Sequence, residues 1–527
     1  MPTFYLDDKP VEFQEGQTIL QAAMAAGTEI PHYCYHDALS VVATCRQCLV
    51  DITDLGNGKG LPKLATSCST QAAAGMKVSS TNQKVRDGQN IINELLLVNH
   101  PLDCPICDQS GECDLQNYAF RYGTGHSEMA YEKRTYGWRD VGTFIMLERN
   151  RCIHCSRCER FSMEIEGHHD FGHFLRTHEL TFDTYKDHQI THKFQGNLAD
   201  LCPVGAITER EFRFKKRAWK LERTPSVCPG CSTGCNITVD HNDGKVERLK
   251  PRENKDVNQW WMCDEGRLTY RKANDKTLRL TEPLARVKGA LVPAAWNALL
   301  EAVAGKVKDL SASGDQVVAV ADLDSTLEEL FLLKNLLAGA FGSGQFFAPH
   351  APESAAPAGA RFLETLITPD KTPNAQGAKL LGFQSEAGNK GMEKALGKAK
   401  VVFVLGAPEA SPALLNAARK AELVVQVAAY RSEWFDMADV ILPALTWTEK
   451  YGTWANKQRR VQALRQAVNG PGEARDPLRI LPDLMRALGQ EASFAPAPDV
   501  LDRLAKGEKK FAGVSWKVVG QQGFTLA

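Results

Sequence analysis

Fifteen cysteines lie before residue 264 of this 527-residue chain, and with one histidine they fall into four sets of four. Cys34, Cys45, Cys48 and Cys68 make the first set, and His100, Cys104, Cys107 and Cys113 the second. Cys152, Cys155, Cys158 and Cys202 make the third, and Cys228, Cys231, Cys235 and Cys263 the fourth. Thiolates this closely spaced suit soft metals and iron–sulfide clusters. The four sets use every cysteine, so none is left over for a disulfide or a nucleophile. Four metal centres along one chain read as an electron relay.

The first set runs C-x10-C-x2-C-x19-C, a stretched form of the plant-type two-iron pattern. The second, H-x3-C-x2-C-x5-C, replaces one thiolate with an imidazole. That makes the site one unit less negative and raises its potential. A zinc ion held by the same three thiolates and imidazole is the competing reading there. The third set is the most specific, because three cysteines spaced by two match one face of a four-iron cubane. Its returning Cys202-Pro203 completes the pattern of bacterial ferredoxins. The fourth, C-x2-C-x3-C-x27-C, suits another four-iron cluster, with Pro229, Gly230 and Gly234 shaping its loop. His168, His169, His173 and His178 lie between Cys158 and Cys202 and read as surface or packing residues.

Regular elements must aim these ligands. Residues 3–6 and 11–14 alternate as paired strands, and Thr18 with Gln21 forms a capping box that opens a helix over 19–26, stopped by Gly27. Ile91, Ile92, Leu95, Leu96 and Val98 recur at helical spacing over 85–99, so His100 should sit at a helix end before Pro101. Beyond about residue 275 cysteine vanishes. Residues 316–321, 401–405 and 423–427 then read as buried parallel strands, with crossover helices over 327–340 and 411–421. Residues 348–360 read as a loop and 494–500 as a linker or extended tail.

The chain is 43% hydrophobic and 24% charged with zero formal net charge, an ordinary globular composition that sets up no field for nucleic acid or anionic membrane. Its first residues lack the features of a secretory or transit peptide. The longest apolar candidate, 291–303, contains Pro293, Asn297 and Glu301, so no direct membrane span is expected.

Residues 100–113 (HPLDCPICDQSGEC) and 196–206 (GNLADLCPVGA) resemble the large iron–sulfur subunit, the G or 75 kDa type, of bacterial respiratory NADH:quinone oxidoreductase, complex I. The fourth set, residues 438–444 (ADVILPA) and residues 449–456 (EKYGTWAN) resemble molybdopterin oxidoreductases. The resemblance implies a multidomain chain of α+β and α/β class. A β-grasp, ferredoxin-like 2Fe-2S domain would span 1–80, a 4Fe-4S module with one histidine and three cysteine ligands 81–135, and a ferredoxin-like 4Fe-4S module 136–218. A molybdopterin-oxidoreductase-type 4Fe-4S module would span 219–275 and a shortened α/β domain of that kind 276–527. One 2Fe-2S and three 4Fe-4S clusters are implied, with neither FMN nor molybdopterin on this chain. Glu265 stands near where those enzymes carry a lysine, and no downstream cysteine remains to bind molybdenum.

By the same resemblance, electrons from NADH would reach the Cys34 set, then the Cys152 set, then the His100 set, and leave toward quinone. The fourth set would lie off that line. Implied partners are the FMN/NADH-binding subunit, a 2Fe-2S thioredoxin-like subunit, a two-cluster ferredoxin-like subunit and subunits near the quinone site. The implied location is the cytoplasmic side of a bacterial inner membrane, held there through the complex. The rival reading is the diaphorase-side wire of a soluble NAD-linked hydrogenase or formate dehydrogenase. An iron-only hydrogenase would need a further cysteine quartet, and none follows Cys263. The basic, aromatic segment 210–223 reads as a helix face packing on the clusters or a partner. Gly406 begins no G-x-G-x-x-G loop, so no NADH or flavin site is expected.

Overall fold

The computed structural model describes residues 1–127, 129–349, 361–385 and 390–526, so the expected loop beyond residue 349 lies outside the described residues. Two compact units divide at residues 221 and 222.

The first unit opens with strands β1 (Thr3–Leu6), β2 (Lys9–Glu12), β3 (Leu49–Asp54), β4 (Ala65–Thr66) and β5 (Lys77–Ser79), ordered β2-β1-β5-β3-β4. Helix α1 (Ile19–Ala25) starts at the expected Thr18–Gln21 capping box and buries Ile19, Leu20, Ala22 and Ala23. Pairing of β3 with β4 matches Leu49 to Thr66, which sets Cys48 beside Cys68. Helix α2 (Gln83–Leu97) is capped by Asn82 but turns a different face inward from the one its apolar residues predict. Gln89 and Asn93 are fully buried, whereas Ile91 and Leu95 are 60% and 64% exposed. The reason is hydrogen bonding. Gln89 donates to the Leu49 carbonyl at 3.3 Å, and Asn93 accepts from the Tyr33 hydroxyl at 2.8 Å. Helix α3 (Asp114–Tyr122) follows directly from Cys113.

Strands β6 (Trp138–Asp140) and β7 (Ile145–Glu148) lead to Cys152, and helix α4 (Arg157–Arg160) carries Cys158. An insertion holding β8 (Phe171–Phe174) and β9 (Thr181–Thr184) returns through helix α5 (Gly196–Leu201) to Cys202 and strand β10 (Ile207–Glu209). The β7–β10 pair matches Leu147 with Ile207, so it brings the first and last ligands of the third set to one end of a ladder. Segment 210–223 is not the expected helix. It holds turns and a single 3-10 turn at Ala218–Lys220, because Phe214 takes a left-handed φ of 63° that breaks any helix.

The second unit begins with the antiparallel sheet β11 (Glu222–Val227), β12 (Asn236–Asn242) and β13 (Lys245–Pro251). Cys228, Cys231 and Cys235 sit in the β11–β12 connection, closed by Cys228 N–H donating to the Cys235 carbonyl at 2.8 Å. Cys263 caps the short helix α6 (Asp264–Arg267).

Beyond it stands a seven-stranded sheet of β14 (Leu284–Val287), β15 (Ala290–Pro293), β16 (Val317–Ala321), β17 (Gln345–Phe347), β18 (Val401–Leu405), β19 (Leu423–Ala428) and β20 (Val440–Pro443). Their order is β15-β14-β20-β19-β18-β16-β17, parallel from β20 to β17. Helices α7 (Trp296–Leu310), α8 (Leu327–Phe341), α9 (Pro412–Ala418), α10 (Pro477–Ala487) and α11 (Ala497–Gly507) belong to the same unit. Buried Val and Leu fill every position of β16 and β18 apart from Ala319, Ala321 and Phe403, as in strands covered on both faces. The expected tail at 494–500 is instead the start of α11, whose Val500, Leu501 and Leu504 are buried. Pro496 and Pro498 open that helix, since proline suits a first helical turn. Among the described residues no helix is long and apolar enough to cross a membrane.

Charge is buried in this unit. Arg279 Nη2 meets Glu449 Oε2 at 2.8 Å, and Lys450 meets Glu329 at 2.6 Å. Burial pushes the Glu328 carboxyl up to about 7 and that of Asp476 up to about 6. A carboxyl raised on folding binds its proton more tightly in the folded than in the unfolded chain. Its stabilisation is therefore present at low pH and is lost as pH rises from the unfolded value toward about 7. Resistance to urea should thus fall from about pH 5 to pH 7, and Glu328→Gln should flatten that slope. An unchanged slope in the variant would refute the assignment.

Candidate metal centres

Left-handed residues and glycines bend the ligand loops so that backbone N–H groups turn toward sulfur. Arg46 (φ 60°) sits between Cys45 and Cys48, and His154 and Ser156 (52° and 58°) flank Cys155. His154 N–H donates to Cys152 Sγ, Gly230 N–H to Cys228 Sγ and Gly266 N–H to Cys263 Sγ, each at 3.4 Å. Such N–H···S contacts stabilise a thiolate.

In the first set, the Cys34 thiol is held low by hydrogen bonds from Cys45 and then Cys68, and that of Cys48 falls to about 7 through Cys68. The four sulfurs form a chain of contacts from Cys45 through Cys34 and Cys68 to Cys48. In the second set, burial pushes Cys113 up to about 12 and the His100 ring down to about 4, so that ring is neutral. Its buried Nδ1 has no hydrogen-bond partner, which suits a lone pair held for a metal. Cys104 alone among the fifteen is exposed. In the third and fourth sets burial raises every shifted thiol; neighbouring thiols of the set raise Cys158 and Cys235 further, whereas Arg157 and Arg160 oppose the rise at Cys155. Cys202 and Cys263 reach about 11.

These observations fit the groups implied. The few cations near these thiols, such as Arg157 and Arg160 at Cys155 and Lys457 at Cys235, are fewer than the thiolates a set would carry, and a cationic iron–sulfide core would supply the rest. None of the fifteen cysteines is in a disulfide. Among the described residues, no three Cys, His, Asp or Glu side chains are gathered closely enough to hold a single metal ion.

Sequence spacing did not reveal the links between sets. In the first unit, Arg157 donates from Nη2 to the Tyr35 carbonyl at 2.7 Å and from Nη1 to the Leu201 carbonyl at 3.3 Å. Arg160 donates to the carbonyls of Cys34 and Ser40. Both arginines stand on helix α4 with Cys158, so they pin the third set to the first. Asp114 N–H donates to the Pro203 carbonyl at 3.0 Å, and Arg151 pairs with Asp103 at 2.8 Å, pinning the second set to the third. Segment 210–223 packs on the second set, with Arg217 donating to the Cys107 carbonyl at 2.8 Å. Gly205 makes the closest approach: a Cβ there would lie 2.1 Å from Cys107 Sγ. The arginines stood in the motif C-x-R-C-x-R, and Gly205 in the run after Cys202-Pro203, but neither carries a spacing signal. His173 pairs with Glu159 at 3.1 Å. Beside the fourth set, Lys371 pairs with Glu265 at 2.8 Å, so a lysine does reach that site, from a distant loop.

The fold also raises the question of a pterin. Open α/β sheets bind ligands where the strand order reverses, here between β16 and β18. The cavity there is about 40 Å³, room for about three waters. Asp322, Asp324 and Glu329 line it, with Lys450 already paired to Glu329. Burial, then Asp322, pushes Asp324 up to about 7. A bulky, phosphate-bearing pterin dinucleotide does not fit this small acidic space.

Family models match in five places. Residues 1–83 match a 2Fe-2S iron-sulfur cluster binding domain, and 89–128 the NADH-ubiquinone oxidoreductase-G iron-sulfur binding region. Residues 142–208 match the ferredoxin-like domain of NADH-quinone oxidoreductase subunit 3. Residues 221–275 match the molybdopterin oxidoreductase Fe4S4 domain, and 344–487 molybdopterin oxidoreductase. The G subunit of NADH-quinone oxidoreductase from Rickettsia conorii is 38% identical over 332 residues, covering 63% of this chain and 48% of that one. The mitochondrial NADH-ubiquinone oxidoreductase 78 kDa subunit of Candida albicans is 37% identical over 334 residues, covering 63% and 45%. The chain spans about half the length of the curated relatives it matches. A chain of an NAD+-reducing [NiFe]-hydrogenase in the H2-reduced state is 29% identical with a TM-score of 0.36, covering 41% of this chain and 90% of that one.

Gly205→Ala tests the close approach. The added methyl should displace Cys107 and cost about four iron atoms per chain, read by iron quantitation. Full iron content in the variant would show that the second set does not depend on that contact.

Proposed function

This chain is a homologue of the G subunit of NADH-quinone oxidoreductase, and from that premise we propose that it relays electrons within such a complex, from an NADH-oxidising FMN partner toward quinone. The sixteen residues of the four sets hold one 2Fe-2S and three 4Fe-4S clusters, the first set the two-iron one. Bound there, these clusters take up and release single electrons. The chain contributes no catalytic residue of its own. Its part is to hold, desolvate and space the centres.

The observation that carries this reading is the double pinning of the third set. Arg157 and Arg160 tie it to the backbone of Cys34 and Tyr35, and the Asp114–Pro203 and Arg151–Asp103 contacts tie it to the second set. That supports an order of first set, third set, second set, with the third in the middle. The fourth set belongs to the other compact unit, and its role is structural. The partners are the FMN/NADH-binding subunit, a thioredoxin-like 2Fe-2S subunit, a two-cluster ferredoxin-like subunit and quinone-side subunits. Together they hold the chain at the cytoplasmic face of the membrane.

The test uses the assembled complex. Cys155→Ser should cut NADH-to-quinone electron flow roughly 100-fold or more, about 2.7 kcal/mol on the barrier, while NADH-to-ferricyanide activity at the flavin partner persists. Cys263→Ser should lower assembly or stability more than turnover, with iron content reduced. Retained quinone reduction in Cys155→Ser, or unchanged iron in Cys263→Ser, would overturn the assignment of that set.

A further inference from the structure

The four cysteines of the fourth set enclose a cavity whose wall is completed by the α/β domain, from far along the chain. Ile367 and Lys371 line it beside Cys228, Cys231, Cys235 and Cys263. Hydrogen bonds hold that wall in place. Ser232 N–H donates to the Asp370 carbonyl at 3.0 Å, and Lys457 N–H to the Ser232 carbonyl at 2.7 Å. The Lys457 ammonium donates to the Thr365 carbonyl at 2.6 Å, which fixes it against the segment that carries Ile367 and Lys371. Asn456 and Gln462 donate to the Thr233 and Gly234 carbonyls at 3.1 Å and 2.9 Å. Both lysines also reach the sulfurs by charge. Lys457 opposes the burial that raises the Cys235 thiol. Lys371 is partly desolvated, but its hydrogen bond to Glu265, then the charges of Glu265, Cys231 and Cys263, hold its ammonium above the ordinary value. Each of the four thiols is at most 8% exposed, so water does little to screen what surrounds them.

We propose that Lys371 and Lys457, both contributed by the α/β domain, set the reduction potential of the fourth centre and hold it up. The inference rests on the reading of that set as a 4Fe-4S site. One electron arriving there from the relay adds one negative charge to a site that already carries four thiolates, with no bond made or broken. Each ammonium attracts the more negative, reduced form more strongly than the oxidised one, so removing either makes reduction harder. The two lysines differ in setting. The Lys371 side chain is 47% exposed and open to screening by salt, whereas Lys457 is half-buried and held by the Thr365 carbonyl. The α/β domain thereby gains a task beyond scaffolding: it decides whether a centre off the line of flow holds an electron.

The purified complex is titrated with dithionite, and low-temperature EPR follows the signal that is absent from Cys263→Ser. At the wild-type midpoint, Lys457→Met should lower the ratio of reduced to oxidised centre about tenfold, a shift of about 59 mV for one electron. Lys371→Met should lower it about threefold at about 0.1 M salt, and that difference should shrink at about 1 M while the Lys457→Met difference stays. Lys371→Arg keeps the charge and should titrate like the wild type. Lys371 stands at the surface, so its variants decide the matter even where Lys457→Met loses iron. An unmoved midpoint in either Met variant, or an equal fall in Lys371→Arg, would overturn the proposal. A wild-type complex whose iron content and EPR show no such centre would instead overturn the reading of the fourth set itself.

Discussion

A buried thiol resists ionising, and a cluster ligand must ionise; this conflict organises the first half of the chain. Burial raises thiols such as Cys158 and Cys235, and their neighbouring thiols raise them further. The backbone answers in part, through N–H groups aimed at sulfur by left-handed residues such as His154 and Ser156. Arginines and lysines answer a little more, as Arg157 does at Cys155, and the rest is a demand for positive charge that an inorganic core at the centre would meet. Ligand loops, flanking strands and caps all follow from keeping that demand enclosed.

Enclosure alone would give separate modules. The arginines turn three of them into one body, Arg157 and Arg160 reaching carbonyls at the first set and Arg151 the Asp103 carboxylate at the second. A guanidinium suits this task, since its fixed fork of donors satisfies several carbonyls without losing its charge. The α/β unit meets its buried charge differently, with internal pairs such as Arg279–Glu449 and Lys450–Glu329. Of these, the Lys450–Glu329 pair lines the crevice where the strand order reverses.

Sequence made the ligands legible because their spacing is a direct imprint of cluster geometry. The parallel strands and the Thr18 cap were legible for a similar reason, since periodicity and capping chemistry are local. What escaped was non-local. Helix α2 turns Gln89 and Asn93 inward because Leu49 and Tyr33, far away in sequence, offer them partners. The prolines near residue 496 looked like a break and instead open a helix whose apolar side finds the core. Segment 210–223 lost its helical reading to one left-handed phenylalanine. Gly205 counts only because Cys107 arrives opposite it from another loop.

The exposure of Cys104 has a practical corollary. Every other thiol is shielded to some degree, so dissolved oxygen meets its least protected sulfur at the second set. Ageing in air should bleach that centre first, and anaerobic handling matters most for the one site that carries an imidazole.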